Sequence, residues 1–527
     1  MRTPSNVTAK AFADAVGEFQ AAVGADWVFT QDTDVDLYKD AYSLFWEEPG
    51  ELVASAAVAP SSTEEVQKIV RICNERSIPL YPISTGRNLG YGGSAPVYSG
   101  SVVLDLKRMD KVLEVDERNA SALVEPGVSY FDMYRHLQNI GSKLWIDVPD
   151  PGWGSLVGNA LDFGGGYTTA RYRNHFEAHC GMEVVMADGE LLRTGMGGLP
   201  GSKTWQQYRY GFGPNLDGLF KQSSLGVVTK MGFWLFPQPE AYLNASVHMA
   251  RYDDLVPLLD RFGEMENANI FNGMPGLSSP VLMQGGRAAI DFPEIPEGAE
   301  MDRMARESGL PCWSGRLTFY GPENVIRAQW DYVKSRFPEA TFTENAFVKL
   351  PLSPDDMERI HKPSFGIPGL EMFAMGARNK ANMDPTDGHF WFSPIIPRTA
   401  EGFLEANRVI RQTCKKLDIP VILFSPPVSS WYRAFILVMA IPIHKDKEKN
   451  AHLRAAVKEL IRICADHGWG EYRTASAFQD AVMDTYSFNN HKLRRVNEAI
   501  KDALDPNGIL SAGRYGIWPK HLREKKA

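Results

Sequence analysis

Cysteine is scarce in this sequence and none of it is arranged for bonding. Cys73, Cys180, Cys312, Cys414 and Cys464 are odd in number, far apart and never in a C-x-x-C spacing. Neither a disulfide framework nor a structural zinc site is encoded, and a reducing compartment is expected. Long apolar runs are also missing. The longest, Ala434 to Ile443, contains Pro442 and is far shorter than the roughly 20 residues of a spanning helix. The first residues lack an apolar core followed by a small-residue cleavage site, so the expectation is a soluble, cytoplasmic chain with no membrane contact. No charge dominates: Lys plus Arg count 56 against 64 Asp plus Glu, net -8, which gives no electrostatic reason to expect nucleic acid. Three signatures are absent as well. Without G-x-S-x-G an α/β-hydrolase is implausible, without a Walker A loop a P-loop NTPase is disfavoured, and Gly152-Trp153-Gly154 meets Gly158 at the wrong spacing for a Rossmann fingerprint.

What is present is ample material for a folded core. The chain has 527 residues, 44% hydrophobic and 23% charged, enough for two to four domains or one large assembly with an inserted lobe. From Leu52 to about Pro239, short β-like runs, helices and glycine loops alternate. Ser62 and Glu65 have capping-box spacing, and Val66, Ile69, Val70 and Cys73 then mark one helical face. PLYPIS, SVVLDL and SALVEPG read as strands, YFDMYRHLQNI as a helix, and EVVMADGELLRT as a hairpin turned at Asp188-Gly189. After Pro237 and Pro239 longer helix-like segments appear, and from Glu471 the glycine-and-turn style returns. The expected division is therefore 1–240, 241–470, and 471–527 rejoining the first part.

Two glycine-rich loops stand out. Gly86, Gly90, Gly92 and Gly93 follow one strand closely, and Gly152, Gly154, Gly158, Gly164, Gly165 and Gly166 are clustered in the other loop. Glycine lets backbone N–H groups approach a ligand and form an anion-binding nest, so a nucleotide diphosphate is the natural reading, with plain tight turns as the alternative.

The segments PISTGRNLGYGGSAP, DVPDPGWGSLVGNALDFGGGYT, GMEVVMADGELLRTGMGGLPGSKTWQ, GPNLDGLFKQSSLGVVTKMGFWL, GEYRT and LDPNGILSAGRYGIW occur in this order. Together they closely resemble the vanillyl-alcohol oxidase and p-cresol methylhydroxylase family, most clearly over 50–240 and 470–520. The resemblance implies an α+β fold of the p-cresol methylhydroxylase type, with an FAD domain and an inserted α+β cap. It implies FAD held by Ser84, Thr85, Gly86, Arg87, Asn88, Gly90, Gly92, Gly93, Pro149, Gly154, Ser155, Gly158, Asn159, Gly166, Tyr167, Gly226, Val228 and Arg514. His389 in GHFWFSPI stands where the family's oxidases attach FAD through an 8α-histidyl bond and the methylhydroxylase uses tyrosine.

By the same resemblance, Tyr91, Tyr472 and Arg473 bind a phenolic oxygen, and Asp150 is the carboxylate beside the reacting carbon. Two phenol donors and a permanently charged guanidinium converging on one oxygen would stabilise a phenolate. The implied activity is oxidation of a para-substituted phenol by hydride loss, with O2 reduced to H2O2, in a homodimer or dimer-based oligomer. Two alternatives remain open: a dehydrogenase passing electrons to a cytochrome, and a silent FAD-binding protein.

The chain departs from the family in three places. It has Thr169 and Ala170 in place of Pro and Tyr, in a loop two residues longer than usual in which Tyr172 could fill the space. It has Ala475 after EYRT, and VSSWYRAFI where the family has histidines. These changes predict an apolar pocket favouring 4-alkylphenols. His175 and His179, at i and i+4, would form a metal pair if helical, but a packed role is the expectation and no metal is expected.

Overall fold

The computed structural model describes residues 2–168, 172, 174–286, 296–371, 388–421, 423–430 and 433–526. Its first unit contains two sheets. In one, Val28–Phe29, Ala57–Val58, Val102–Asp105 and Leu80–Ile83 lie side by side in that order, the last two pairings parallel. Val102, Val103 and Leu104 are fully buried, so the central strand reads as an unbroken apolar run, as a strand covered on both faces does. The helix Thr63–Glu75 packs beside it through Val66, Ile69, Val70 and Cys73. Its cap differs slightly from a capping box. The Ser62 hydroxyl accepts from Glu65 N–H as expected, but the Glu65 carboxylate reaches back to Ser61.

The second sheet is antiparallel, ordered Val112–Asp116, Ser121–Val124, Val227–Trp234, His179–Val185, Leu191–Arg193. Its last two strands form the hairpin expected at Asp188-Gly189, closed by Met186 N–H to Glu190 O at 2.9 Å.

A third core runs from Ala241 to Phe478, with Leu44 added. It joins the antiparallel sheet Gly276–Ser278, Trp313–Gly321, Ala241–Met249, Thr341–Lys349 to a smaller sheet around Ala434–Pro442, with helices Leu255–Asn267, Ala400–Lys416 and Lys447–Asp466 packed on them. The longest apolar stretch of the sequence is thus a cap strand whose Pro442 sits at its end. The C-terminal segment returns to the first sheet: Leu80 N–H donates to Ile509 O at 2.7 Å and Ser511 N–H to Leu80 O at 2.8 Å. Among the described residues no helix is long and apolar enough to cross a membrane.

Candidate active site

The two glycine loops face each other across an open cleft. Ser84, Thr85, Gly86, Arg87, Asn88, Gly92 and Gly93 come to it from the first loop. The second loop supplies Gly154, Ser155, Gly158 and Asn159, and Gly226, Val228 and Arg514 complete the wall. At Gly158 a Cβ would lie 2.3 Å from Ser84 Oγ, so the loops close on each other only because that side chain is missing. A long cleft walled by backbone from two loops fits an extended dinucleotide such as FAD.

Gly90, Pro149, Gly166, Tyr167 and His389 are placed elsewhere than this wall. Gly90 lies against the cap strand His389–Phe392: Trp391 N–H donates to Gly90 O at 3.0 Å, and a Cβ on Gly90 would stand 2.5 Å from the Trp391 ring. His389 is buried at the start of that strand, its ring 4.5 Å from Trp391 and 5.4 Å from Tyr42. Gly166 backs onto the Asp147 carboxylate. Tyr167 N–H donates to Val148 O, one residue before Pro149.

Tyr91, Tyr472 and Arg473 are brought together, although the chain separates them widely. The Arg473 guanidinium lies 3.9 Å over the Tyr91 ring, and the Tyr91 hydroxyl pairs with Ser393 Oγ at 3.0 Å. Burial, and then Tyr472 beside it, push the Tyr91 phenol well above its ordinary value, against Arg473 and Ser393. It therefore remains a hydrogen-bond donor. Gln222 Nε2 holds Tyr472 O at 2.8 Å.

Asp162 was not among the expected residues, yet it organises this group. Its carboxylate accepts from Arg473 and Arg514 at 3.0 Å each, and from Asn88 and Tyr515. Burial works against the Arg473 charge, but Asp162 and the nearby phenols outweigh it and hold the guanidinium above its usual range. Glu471 was also unexpected. It is buried, its Oε1 accepting Ser393 N–H at 3.0 Å. A hint existed in the sequence, since Asp162 stands between the glycines of LVGNALDFGGG and Glu471 precedes the Tyr-Arg pair.

Asp150 keeps different company. It acts on Tyr167, whose phenol is pushed up to about 12 by burial first and Asp150 second. The Tyr167 ring is 5.2 Å from His361, and Gly152 N–H, two residues after Asp150, donates to the cap's Gly369 O at 2.8 Å. The Asp150 loop thus meets the cap at residues 361–371.

The histidine pair is divided between two neighbourhoods. His175 contacts Asp147 at 3.1 Å and Tyr130 at 2.8 Å, while His179 opens a strand beside Asp217 at 3.3 Å. The two side chains therefore meet different carboxylates, and no His, Cys, Asp and Glu cluster suited to a metal occurs among the described residues. Tyr172 packs against Trp234 at 6.1 Å. Thr169 and Ala170, and Trp431 and Tyr432 of VSSWYRAFI, lie outside the described residues. Ala475 is buried.

Residues 54–195 match the model of an FAD binding domain. The chain is 33% identical over 524 residues to the 4-cresol dehydrogenase (hydroxylating) flavoprotein subunit of Pseudomonas putida, covering 98% of this chain and 97% of that protein. This similarity includes the cap, where the motifs are weaker. Among solved structures, a 4-ethylphenol oxidase from Gulosibacter chungangensis in complex with isoeugenol superposes with TM-score 0.84 at 36% identity, over 99% of this chain and 100% of that one. A substrate-bound p-cresol methylhydroxylase superposes with TM-score 0.83 at 31% identity, over 98% and 99%. With this similarity over nearly its whole length, the chain belongs to the vanillyl-alcohol oxidase and p-cresol methylhydroxylase family of FAD-dependent oxidoreductases.

Proposed function

We propose that this enzyme is an oxidase of para-substituted phenols, 4-alkylphenols foremost, with FAD attached at His389. The observation that carries the reading is the buried cluster in which Arg473 lies over Tyr91 beside Tyr472. The family members acting on 4-cresol and 4-ethylphenol support it.

FAD, when bound in the two-loop cleft, supplies the acceptor for a hydride leaving the carbon para to the phenolate oxygen. The chain's own residues make that carbon reactive. Arg473, fixed by Asp162 and Asn88, supplies the charge that favours loss of the phenolic proton, and Tyr91 and Tyr472 donate to the same oxygen. Electron density pushed into the ring by the phenolate weakens the para C–H bond. Asp150 takes the proton of a water adding to the resulting quinone methide, giving a benzylic alcohol. With a longer side chain, loss of a carbon-bound proton gives an alkene. The division at 240 and 470 assigns the phenol cluster to both ends of the chain, with the cap between them.

A dehydrogenase is the second reading, because the Pseudomonas putida relative is named as one. The histidine at position 389, where the methylhydroxylase has tyrosine, favours the oxidase. Oxygen uptake by the FAD-loaded enzyme with 4-ethylphenol decides between them. Uptake without an added acceptor, reduced in kcat/KM by roughly 10²–10³ in Arg473→Met, is the expected result, since a charge about 4 Å away is worth on the order of 4 kcal/mol at an effective dielectric of about 20. Flavin bleaching with slow reoxidation gives the dehydrogenase, and no bleaching by any phenol overturns both.

A further inference from the structure

The phenol cluster contains one ionisable group that the mechanism above does not use. Glu471 is buried immediately before Tyr472 and Arg473, against the cap segment that carries Ser393. Its Oε1 accepts Ser393 N–H at 3.0 Å, and the Ser393 hydroxyl is the group that meets Tyr91 at 3.0 Å. An antiparallel bridge between Pro394 and Glu471, and Ile395 N–H to Gly470 O at 2.9 Å, fix the two segments together.

The charges around it are unequal. Asp162 faces two guanidinium groups, Arg473 and Arg514, so this trio retains one net positive charge. A neutral Glu471 leaves that charge for an anionic ligand, whereas an ionised Glu471 adds a negative charge that opposes such a ligand.

We propose that Glu471 is a specificity-determining residue whose carboxyl, locked against Ser393 and matched by no cation among the described residues, tunes the pocket's preference for anionic over neutral phenols. This rests on the phenol-pocket reading. Among the described residues the groups facing it include no paired counter-charge. Thr474 hydrogen-bonds to it, and Cys464 from helix Lys447–Asp466 and Tyr486 from beyond the next helix feel its charge. Lys221, Tyr472, Arg473 and Tyr515 share with it a second cavity. Lys221 has Glu177 as its electrostatic neighbour and Arg473 has Asp162. Burial accordingly raises the Glu471 carboxyl to about 8, so its charge would change within the working range of an enzyme.

The test is calorimetric titration of the FAD-loaded enzyme with 4-nitrophenol between pH 6 and 10, with affinity referred to the phenolate form, alongside KM and kcat for 4-ethylphenol. In the wild type, phenolate affinity should fall roughly tenfold as pH rises through 8, a size expected for one added charge across a partly screened site. Glu471→Gln keeps the shape without the charge and should abolish the fall. Thr474→Val removes a hydrogen bond that favours the ionised form and should move the fall to higher pH. KM should follow affinity while kcat does not. The same fall in all three proteins overturns the proposal. So does loss of binding at every pH in a Glu471→Gln protein that still holds FAD, because that marks a purely structural role. A wild type that binds no 4-nitrophenol at any pH overturns the phenol-pocket reading itself.

Discussion

Replacing Asp162 by Asn should damage this protein more than any other single-atom change near the cavity. Asp162 and Arg473 have side-chain exposures of 6% and 8%, and Arg514 has 24%. Asn keeps the size of the side chain but removes the one carboxylate that faces both guanidinium groups. Leaving a buried charge without its partner costs about 3–5 kcal/mol. The Arg514 share is smaller, because solvent reaches it and screens it. Tyr515 and Asn88 lose an ionised acceptor as well, although the amide oxygen of Asn still serves one donor. The expected loss is therefore about 3–5 kcal/mol, a fall in Tm of about 3–5 °C for a protein of this size. Urea unfolding of the FAD-loaded enzyme, monitored by flavin and tryptophan fluorescence together, measures it. A double-mutant cycle with Arg473→Met isolates the pair, and its coupling should reach about 1–3 kcal/mol. A loss below about 1 kcal/mol, or a coupling near zero, would refute the view that Asp162 holds Arg473 in place.

Two further outcomes follow from buried groups. His389→Ala should release the yellow colour into the supernatant on acid precipitation, while the wild type retains it in the pellet; colour retained in both would move the attachment elsewhere. Glu471 has a folded-state pKa raised by burial to about 8 from an ordinary 4.5. The folded protein therefore binds more protons than the unfolded chain between these values, and stability falls as pH rises through that window. Thermal unfolding should show Glu471→Gln gaining on the wild type from pH 5 to 8, with no further gain above; a constant difference across this range would contradict the sign.

The cofactor cleft was legible because its chemistry is local. Each glycine loop is continuous in sequence and directly follows a strand or strand-like turn, so several of its residues reach one cavity together, although Gly90 and Gly166 do not. The phenol cluster was legible only through motif resemblance, since nothing in periodicity places Tyr91 under Arg473. Asp162 escaped notice because its meaning comes from Arg473, Arg514 and Tyr515, which lie more than 300 residues further along the chain. An aspartate between glycines reads as a turn residue until those partners arrive. The His175 and His179 spacing suggested a shared face only under the assumption of a helix. A turn followed by a strand sends the two rings to different acids, so spacing without secondary structure carried little information. The cap's sheets were the least legible part, because Ala434–Pro442 is a continuous apolar run that periodicity cannot tell from a buried helix, while Thr341–Lys349 is largely polar and exposed.

The return of the C-terminal segment to Leu80 sets an order of events for a ribosome. The first sheet lacks its neighbour at Leu510, and the flavin cleft lacks Ser511 and Arg514, until almost the entire chain has emerged. The Gly90 loop likewise waits some 300 residues for Trp391. The N-terminal half is therefore no autonomous flavin module. A nascent chain carries an unfinished cleft until residues 509–514 are made, and loss of that segment should be felt first at the flavin.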